Sequence, residues 1–471
     1  MVTGRHRPGS GRVERNACAE GFLHQDGGKA RRRHGEQWRP GSVVSTGPYE
    51  TLRRRAAERI GELELDPLED GETIRAEVDH LVSAYQRRAF GGGGVRPFRD
   101  PVEIGARLVD SLVGYGPLTP VIDRNDIEEV FIEGERVTFI DSSGRLQALD
   151  TPTSEEENRQ IVTRILAGTN RRLDVSNPIE QARVLGGRAR LTAVIPPVAD
   201  RLSVTLRKYT VKNYDLSFLV EGGVLSRSAA AFLWVAARAS TTILFSGPPG
   251  AGKTTLLSAY LRSVPADRCV RVCEEVRELD MPLLHGSFYE ASPPNLDGSR
   301  RYTLRDLVKV VLAQRPDLIC VGEVRGSEAF ELTRAVNAGC GFACTIHADS
   351  ASAALVALVN AALMAGENVT EAILTRVFGT AIDFVVHLQR DQLAGDQAGI
   401  RRRVMEMLVV DSPHRSGGFE TETLFRRNDV AGTLEWTGVL PPTGIRQRLE
   451  RSLPAGAGIE AVLSESWEPP L

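Results

Sequence analysis

A glycine-rich segment constrains this chain more than any other feature. Gly247 to Thr254 reads GPPGAGKT and fits the pattern G-x4-G-K-T in full. An apolar run, Thr242 to Ser246, precedes it, and apolar residues at helical spacing follow it as far as Pro265. A strand, a glycine turn and the start of a helix in this order surround phosphate oxygens with backbone N–H groups. The sequence therefore predicts a nucleotide-phosphate site within an α/β fold.

The residues of this loop have separate expected roles in holding ATP. Lys253 would bridge the β- and γ-phosphates, and the hydroxyl of Thr254 would hold Mg²⁺. Lysine occurs at only five positions of this arginine-rich chain, and one of them is here, where a compact ammonium suits the site better than a forked guanidinium. The predicted contacts to ATP are Gly247, Pro248, Pro249, Gly250, Ala251, Gly252, Lys253, Thr254 and Thr255.

Short apolar segments alternate with helical segments from about residue 241 onward. The predicted strands are Thr242 to Ser246, Val270 to Cys273, Leu318 to Val321 and Phe342 to Ile346. Because a helix-period segment separates each strand from the next, the pattern predicts a doubly wound α/β domain with a mostly parallel sheet.

Acidic residues and one histidine come where these strands end. Glu275 and Glu278 follow the second strand, Glu323 follows the third, and His347 follows the fourth. Ligands bind at the carboxyl ends of parallel strands, so these side chains are candidates for the chemistry. We expect Glu323 to help hold Mg²⁺, directly or through water, and either Glu323 or Glu278 to act as the catalytic base. His347 is a candidate for sensing the γ-phosphate.

The chain before the loop has a different pattern. Glu129 to Asp141 and Ala182 to Ile195 alternate around glycine turns and predict two hairpins, and Ser154 with Glu157 is typical of a capping box at a helix start. The predicted organisation is a disordered Arg- and Gly-rich tail at 1–50, a helical segment and Gly linker at 51–94, a smaller α+β N-terminal domain at 95–215, the phosphate-loop domain at 216–425 and a C-terminal tail at 426–471.

Composition excludes several classes of function. The formal net charge is −3, and no basic groove interleaved with aromatic residues is evident, so no nucleic-acid partner is expected. No segment reaches ~18 apolar residues, the length that spans a bilayer. The six cysteines lack the spacing of zinc ribbons, and most lie in apolar runs. We therefore expect a reduced, cytosolic protein.

Seven segments form a specific combination: GPL at 116–118, EEVFIEG at 128–134, RRLD at 171–174, LRK at 206–208, CEEVRE at 273–278, RPDLICVGEVRG at 315–326 and TIHAD at 345–349. Together with the phosphate loop they resemble the type II/IV secretion-system ATPase family, the GspE/PilT/VirB11-like superfamily. Within it, the sequence looks most like the CpaF-like ATPases of Flp (Tad) pilus assembly. The resemblance covers about Asp100 to Phe425.

This resemblance implies a RecA-like P-loop NTPase domain at 216–425, preceded by the smaller α+β domain. It also implies Mg²⁺-dependent ATP hydrolysis, a homo-hexamer, and a cytoplasmic location at the inner membrane through a platform protein. Nucleotide would sit between the two domains, and hydrolysis would shift them against each other. Such rings complete the site with arginines, for which Arg207 is the first candidate and Arg301, Arg305 and Arg325 are further ones.

Three positions depart from the family pattern. Glu275 stands where the family usually has Asp, Asn295 to Gly298 replaces N-x-E-G, and Cys340 replaces the first histidine of the His box. Only His347 of that box therefore carries over. Two other functions stay open: an ATP-binding scaffold with little turnover, and a nucleic-acid translocating RecA-like motor.

Overall fold

A computed structural model describes residues 47–467, apart from 66–69, 93, 170, 210–213, 280–281, 293–300, 394–398, 414–417 and 429, together with residue 469. Most of the predicted tail at 1–50 and the segment Asn295 to Gly298 therefore lie outside the described residues. The chain from Pro48 onward clusters as one unit. No helix in the described part of this chain is both long enough and apolar enough to cross a membrane.

Three helices open this unit. They are α1 (Pro48–Glu62), α2 (Gly71–Phe90) and α3 (Pro101–Val113). Asp100 caps α3, because its side chain accepts hydrogen bonds from the backbone N–H groups of Val102 and Glu103. Buried apolar side chains from all three helices form one small core, among them Leu52, Ile74 and Leu108. The helical segment predicted from residue 51 thus continues into α3 as a three-helix layer.

A six-stranded antiparallel sheet follows, with the strand order β3-β2-β1-β6-β5-β4. The predicted hairpins are β1 with β2 and β4 with β5, and β6 pairs with both β1 and β5. A short 3₁₀ turn (Gly116–Leu118) leads into α4, and helix α5 packs its apolar face on the sheet. The bounds are α4 Thr119–Asp123, β1 Ile127–Glu133, β2 Arg136–Asp141, β3 Leu146–Ala148, α5 Glu155–Ala167, β4 Ile179–Val184, β5 Ala189–Val194 and β6 Ser203–Lys208.

The second sheet has nine strands in the order β15-β14-β13-β12-β7-β11-β10-β8-β9. Neighbours from β12 to β9 run parallel, whereas β12 to β15 pair antiparallel. Its elements are α6 Leu216–Glu221, α7 Arg227–Arg238, β7 Ile243–Ser246, α8 Lys253–Arg262, β8 Val270–Glu274, β9 Gly286–Glu290, α9 Leu304–Leu312, β10 Leu318–Val324, α10 Glu328–Asn337, β11 Gly341–Ile346, α11 Ala351–Leu363, α12 Glu371–Ala381, β12 Phe384–Leu393, β13 Gly399–Pro413, β14 Phe419–Arg427, β15 Leu434–Trp436, α13 Thr443–Glu450 and α14 Ile459–Leu463.

Helices cover both faces of this nine-stranded sheet. Alternate residues of β7 belong to different cores: Ile243 and Phe245 pack towards α7 and α8, whereas Leu244 packs towards α9, α10 and α11. A strand buried on both faces explains why the first three residues of β7 are all apolar. A doubly wound domain has a layer of helices on each face of its sheet, and both layers are present here. The mixed α/β class is confirmed.

The C-terminal residues extend the same sheet. The predicted division between residues 425 and 426 falls inside β14, and β15 continues the sheet to Trp436. The short helices α13 and α14 then pack on the apolar face shared with α7.

Candidate functional site

The phosphate loop connects β7 in the centre of the sheet to the first turn of α8. Gly247 has φ 150°, and a Cβ at this position would lie 2.3 Å from the carbonyl oxygen of Leu388 in β12. Gly252 has φ 93° and directly precedes the first helical residue. Side chains at these two positions would clash or strain the backbone, so only glycine lets the loop turn here. The N-terminus of α8 then adds its positive end to the loop.

Lys253 is the first residue of α8, and its side chain folds back into the loop. It is 7% exposed, and its Nζ donates to the carbonyl oxygens of Gly247 at 2.9 Å and Pro248 at 3.1 Å. Burial lowers its pKa to about 8, the nearby charge of Arg207 acts in the same direction, and Glu323 opposes it. The loop therefore holds a cation poised to gain from an anionic ligand.

His347 connects this lysine to the acid of β10. It directly follows β11, which lies between β7 and β10 in the sheet. Its Nδ1 lies 3.1 Å from Lys253 Nζ, and its Nε2 faces Glu323 Oε1 at ion-pair distance. Burial first, and then the lysine, lowers the pKa of His347. With its proton on Nε2, a neutral imidazole accepts from the ammonium at Nδ1; with its proton on Nδ1, it donates to the carbonyl oxygen of Gly247, 3.3 Å away.

Glu323 lies near the end of β10 and is half-buried. Its second carboxylate oxygen pairs with the guanidinium of Arg325, a residue that the sequence suggested only as a further arginine candidate. Arg305, suggested on the same grounds, pairs instead with Glu331 and Glu367. The series Lys253, His347, Glu323 thus brings three predicted site residues into contact.

The acidic end of β8 contains one buried and two more accessible glutamates. Glu275 is exposed, and Glu278 is half-buried with its Oε1 3.8 Å from Nη1 of Arg190. Glu274 is only 4% exposed, and it accepts hydrogen bonds from the backbone N–H groups of Glu278 at 3.1 Å and Leu279 at 3.3 Å. Glu274 therefore anchors the loop that carries both candidate acids.

A packing constraint explains how Glu274 fits beside β10. A Cβ at Gly322 would lie 2.6 Å from Glu274 Cγ, so the glycine before Glu323 leaves space for the buried carboxyl group. Burial raises the pKa of Glu274 to about 8, against the opposing effect of the hydrogen bond from Glu278. The group is therefore mainly protonated at neutral pH.

This protonation predicts a pH-dependent stability. The folded pKa is above the unfolded value, so the stabilisation from Glu274 is complete below about pH 4.5 and is lost as pH rises towards 8. Glu274→Gln mimics the neutral form, and we expect the wild-type protein to lose about 3 to 4 kcal/mol relative to this variant between pH 5 and pH 8. Denaturant unfolding of both proteins at several pH values measures this difference in the free energy of unfolding.

The matched control for this experiment is Glu275→Gln, since Glu275 is the exposed neighbour on the same loop. It should follow the wild-type pH profile. A Glu274→Gln profile parallel to that of the wild type would show that the carboxyl group does not titrate in this range.

Arg207 approaches the phosphate loop from the six-stranded sheet. It lies on β6, is about half exposed, and its Nε is 3.6 Å from Oε1 of Glu129 on β1. Its charge contributes to the lowered pKa of Lys253, so the two cations lie within electrostatic reach. The Arg207 contact that the structure gives is with Glu129, on the neighbouring strand of the six-stranded sheet.

The residues present fit both ATP and Mg²⁺. The loop offers backbone N–H groups, a helix N-terminus and a lysine, which together suit phosphate oxygens. Thr254 and Thr255 are half-buried in the first turn of α8, and Glu323 offers carboxylate oxygens. Hydroxyl and carboxylate oxygens are the hard ligands that Mg²⁺ prefers. The remaining residues of the loop are Pro248, Pro249 and Ala251.

Sequence reasoning missed two residues at this site. Arg402 of β13 donates to the carbonyl oxygen of Gly250 at 2.9 Å, and Glu128 of β1 pairs with the same arginine. Arg402 is one of three consecutive arginines and carries no motif, whereas Glu128 begins the EEVFIEG segment, which could have drawn attention to it.

Comparison with known proteins identifies the family. The model of the family described as "Type II/IV secretion system protein" matches residues 112–391. A putative conjugal transfer protein of Mycobacterium tuberculosis is 32% identical over 311 residues, which is 64% of this chain and 86% of the relative. The type IV secretion system protein PtlH of Bordetella pertussis is 28% identical over 324 residues, 62% of this chain and 93% of the relative.

Among solved structures, the VirB11 ATPase of the Brucella suis type IV secretion system is 23% identical, with a TM-score of 0.34 over 64% of this chain and 95% of that chain. The family match spans more than half of the chain and includes the phosphate loop, Glu323 and His347. This chain therefore belongs to the type II/IV secretion system protein family.

Proposed function

We propose that this protein hydrolyses ATP with Mg²⁺ at the phosphate loop and acts as the motor of a secretion or Flp (Tad)-type pilus assembly machine. The observation that carries the hydrolysis proposal is the contact series from Lys253 through His347 to Glu323. It connects a phosphate-binding cation to an acid two strands away in the same sheet. Phosphoryl transfer to water uses a cation on the phosphates and a residue that positions the water, and this series offers a candidate for each.

In this proposal the loop and strand-end residues divide the tasks, and Glu323 has two of them. Lys253 leaves the carbonyl oxygens of Gly247 and Pro248 for the β- and γ-phosphates. Thr254 and Glu323 hold Mg²⁺, which neutralises charge on the phosphates when it is bound. Glu323 positions or deprotonates the attacking water, and Glu278 is the second candidate for that role. Arg207 stabilises the charge of the transferring phosphoryl group.

His347 has a part in this proposal because of its two neighbours. Its Nδ1 contacts Lys253, and its Nε2 faces Glu323. Movement of the lysine to the phosphates removes one of the two partners, so the imidazole can shift with the presence of the γ-phosphate. His347 would then report hydrolysis to Glu323, while the exposed Glu275 contributes negative charge at the same edge of the sheet.

The motor proposal takes its support from family membership and from relatives named for conjugal transfer and type IV secretion. We propose a homo-hexamer at the cytoplasmic face of the inner membrane, held there by a platform protein. A RecA-like domain at 216–425 and the N-terminal domain at 95–215 would move against each other with each cycle. Affinity capture from membranes of the native cell tests the machine: a pilus platform protein would support the pilus motor, type IV secretion components would support the secretion motor, and capture of neither would contradict the motor proposal.

A scaffold that binds ATP with little turnover is the second candidate function, favoured by Cys340 in the His box. The structure weakens this argument. Cys340 precedes β11, whereas His347 follows it, and the seven steps between them span about 20 Å along an extended strand. A substitution at the far end of the strand leaves the contacts of His347 unchanged.

Phosphate release by the purified protein tests the proposed activity. We expect turnover of ATP that needs Mg²⁺ and stops with a chelator. Tight ATP binding without phosphate release would favour the scaffold, and stimulation by DNA would favour a nucleic-acid motor. Absence of both binding and turnover in folded hexamer would overturn the proposal.

A further inference from the structure

Arg402 of β13 makes three contacts at once. Its Nε donates to the carbonyl oxygen of Gly250 at 2.9 Å, and its two terminal nitrogens donate to the carboxylate oxygens of Glu128 at 3.1 Å and 2.7 Å. Gly250 belongs to the phosphate loop, and Glu128 belongs to β1 of the six-stranded sheet. One side chain therefore connects the loop to the other sheet, across 274 residues of sequence.

The ion pair is partly protected from water, because the side chains of Arg402 and Glu128 are 31% and 22% exposed. Its geometry is bidentate, which is the stronger form of an arginine–carboxylate contact. A lysine has one nitrogen and cannot hold both carboxylate oxygens and the Gly250 carbonyl in this arrangement. The contact thus depends on the fork of the guanidinium group.

The backbone of β1 directs Glu128 towards this arginine. Ile127 pairs with Asp141 of β2, and Glu129 already pairs with Ile140, so Glu128 is the additional residue of a β-bulge. A bulge turns a side chain out of the regular alternation of a strand. Next to it, Glu129 pairs with Arg207. Consecutive acids of β1 therefore pair with two arginines, of which Arg402 contacts the phosphate loop.

A second arginine lies against the same turn of the loop. Arg390 of β12 is the register partner of Arg402, and a Cβ at Gly250 would lie 2.9 Å from its Nη1. A Cβ at Gly252 would lie 3.6 Å from Cδ of Arg402. The strand pair β12–β13 thus contacts the outer side of the loop through arginines, and the carbonyl oxygen of Gly250 points towards them.

We propose that Arg402 is a positioning residue that makes the conformation of the phosphate loop depend on the placement of the six-stranded sheet. By holding the Gly250 carbonyl oxygen on the outer side, it keeps the neighbouring N–H groups turned inward for phosphate. Glu128 fixes the guanidinium group, so displacement of β1 weakens the restraint on the loop. The nucleotide part of this inference rests on the proposed function, whereas the restraint on the loop does not.

Four variants test the link: Arg402→Ala, Arg402→Lys, Glu128→Gln and the Arg402→Ala/Glu128→Gln double variant. Matched controls are Arg401→Ala, the exposed neighbour on β13, and Glu133→Gln, an exposed acid at the end of β1. The first readout is hydrogen–deuterium exchange of the peptide covering residues 247–254, without nucleotide. We expect about tenfold faster exchange in Arg402→Ala and in Glu128→Gln, and wild-type rates in both controls.

The second readout is the Kd of a fluorescent ATP analogue, together with KM and kcat for ATP. We expect about tenfold weaker binding in each single variant, and no further loss in the double variant, because both substitutions break the same link. Arg402→Lys should resemble Arg402→Ala, since charge alone does not restore the fork. KM should rise more than kcat falls, which a general loss of stability would not produce.

The outcomes separate this inference from the proposed function. Wild-type exchange and affinity in Glu128→Gln, a variant of nearly unchanged shape, would overturn the link even if ATP is hydrolysed normally. Faster exchange in both single variants of a protein that binds no ATP would uphold the restraint and overturn the function. Additive losses in the double variant would show that Arg402 and Glu128 act separately.

Discussion

Replacing Lys253 with alanine is expected to reduce kcat/KM for ATP by about a thousandfold, which is the scale for removing a preorganised charge from a transferring phosphoryl group. The ammonium is buried beside the carbonyl oxygens of Gly247 and Pro248, where water solvates it poorly. It therefore gains more from the phosphates than an exposed lysine would. Phosphate release at saturating Mg²⁺, with binding of a fluorescent ATP analogue, measures both parts of the loss.

Lys309→Ala is the control for that experiment, because Lys309 is 41% exposed on α9 and pairs with Glu331 away from the loop. It should retain wild-type turnover. Turnover by Lys253→Ala close to the wild-type rate would contradict the assigned role.

A further result is expected from the pKa of about 8 at Lys253. Bound phosphates raise that pKa again, so ATP binding near pH 8 should take up protons. The affinity for ATP should therefore fall as pH rises above 8.

The part of the site that could be predicted from the sequence is the part encoded by short segments. Gly247 to Thr254 fixes its own turn through glycines, and the apolar strand before it identifies its position in a parallel sheet. Glu323 lies near the end of an apolar strand and His347 directly follows one, so their shared edge could be predicted from the alternation of strands and helices. To predict that they contact each other and Lys253, one must also know the strand order β7-β11-β10.

The residues that sequence reasoning missed depend on long-range contacts. Arg402 lies among three consecutive arginines, and nothing local separates the one that bonds Gly250 from its exposed neighbour Arg401. Glu274 lies inside the segment CEEVRE without distinction from its neighbours, yet its burial against Gly322 makes it the anchor of the loop that follows β8. Whether a side chain contacts the loop or supports it depends on the side of the strand on which it lies. Residue type alone does not determine this.

Glu323→Gln is expected to lower kcat for ATP hydrolysis by about a hundredfold to a thousandfold while leaving the Kd for ATP within a few-fold of wild type, the scale for losing a general base. The amide keeps the shape of the side chain but cannot accept a proton from water. Glu323 is favoured over Glu278 because it faces His347, which contacts Lys253. The carboxylate of Glu278 instead lies 3.8 Å from the guanidinium group of Arg190, and its backbone N–H donates to Glu274.

The comparison that decides between the two acids uses three matched variants, Glu323→Gln, Glu278→Gln and Glu290→Gln, measured for kcat and for ATP affinity. Glu290 is an exposed acid at the end of β9, next to β8 at the same edge of the sheet, so it controls for loss of charge there. We expect a large fall in kcat for Glu323→Gln, a smaller one for Glu278→Gln and none for the control. The reverse order would assign the base to Glu278. In that case the contact from His347 to Glu323 would serve to hold Mg²⁺ and not to activate water.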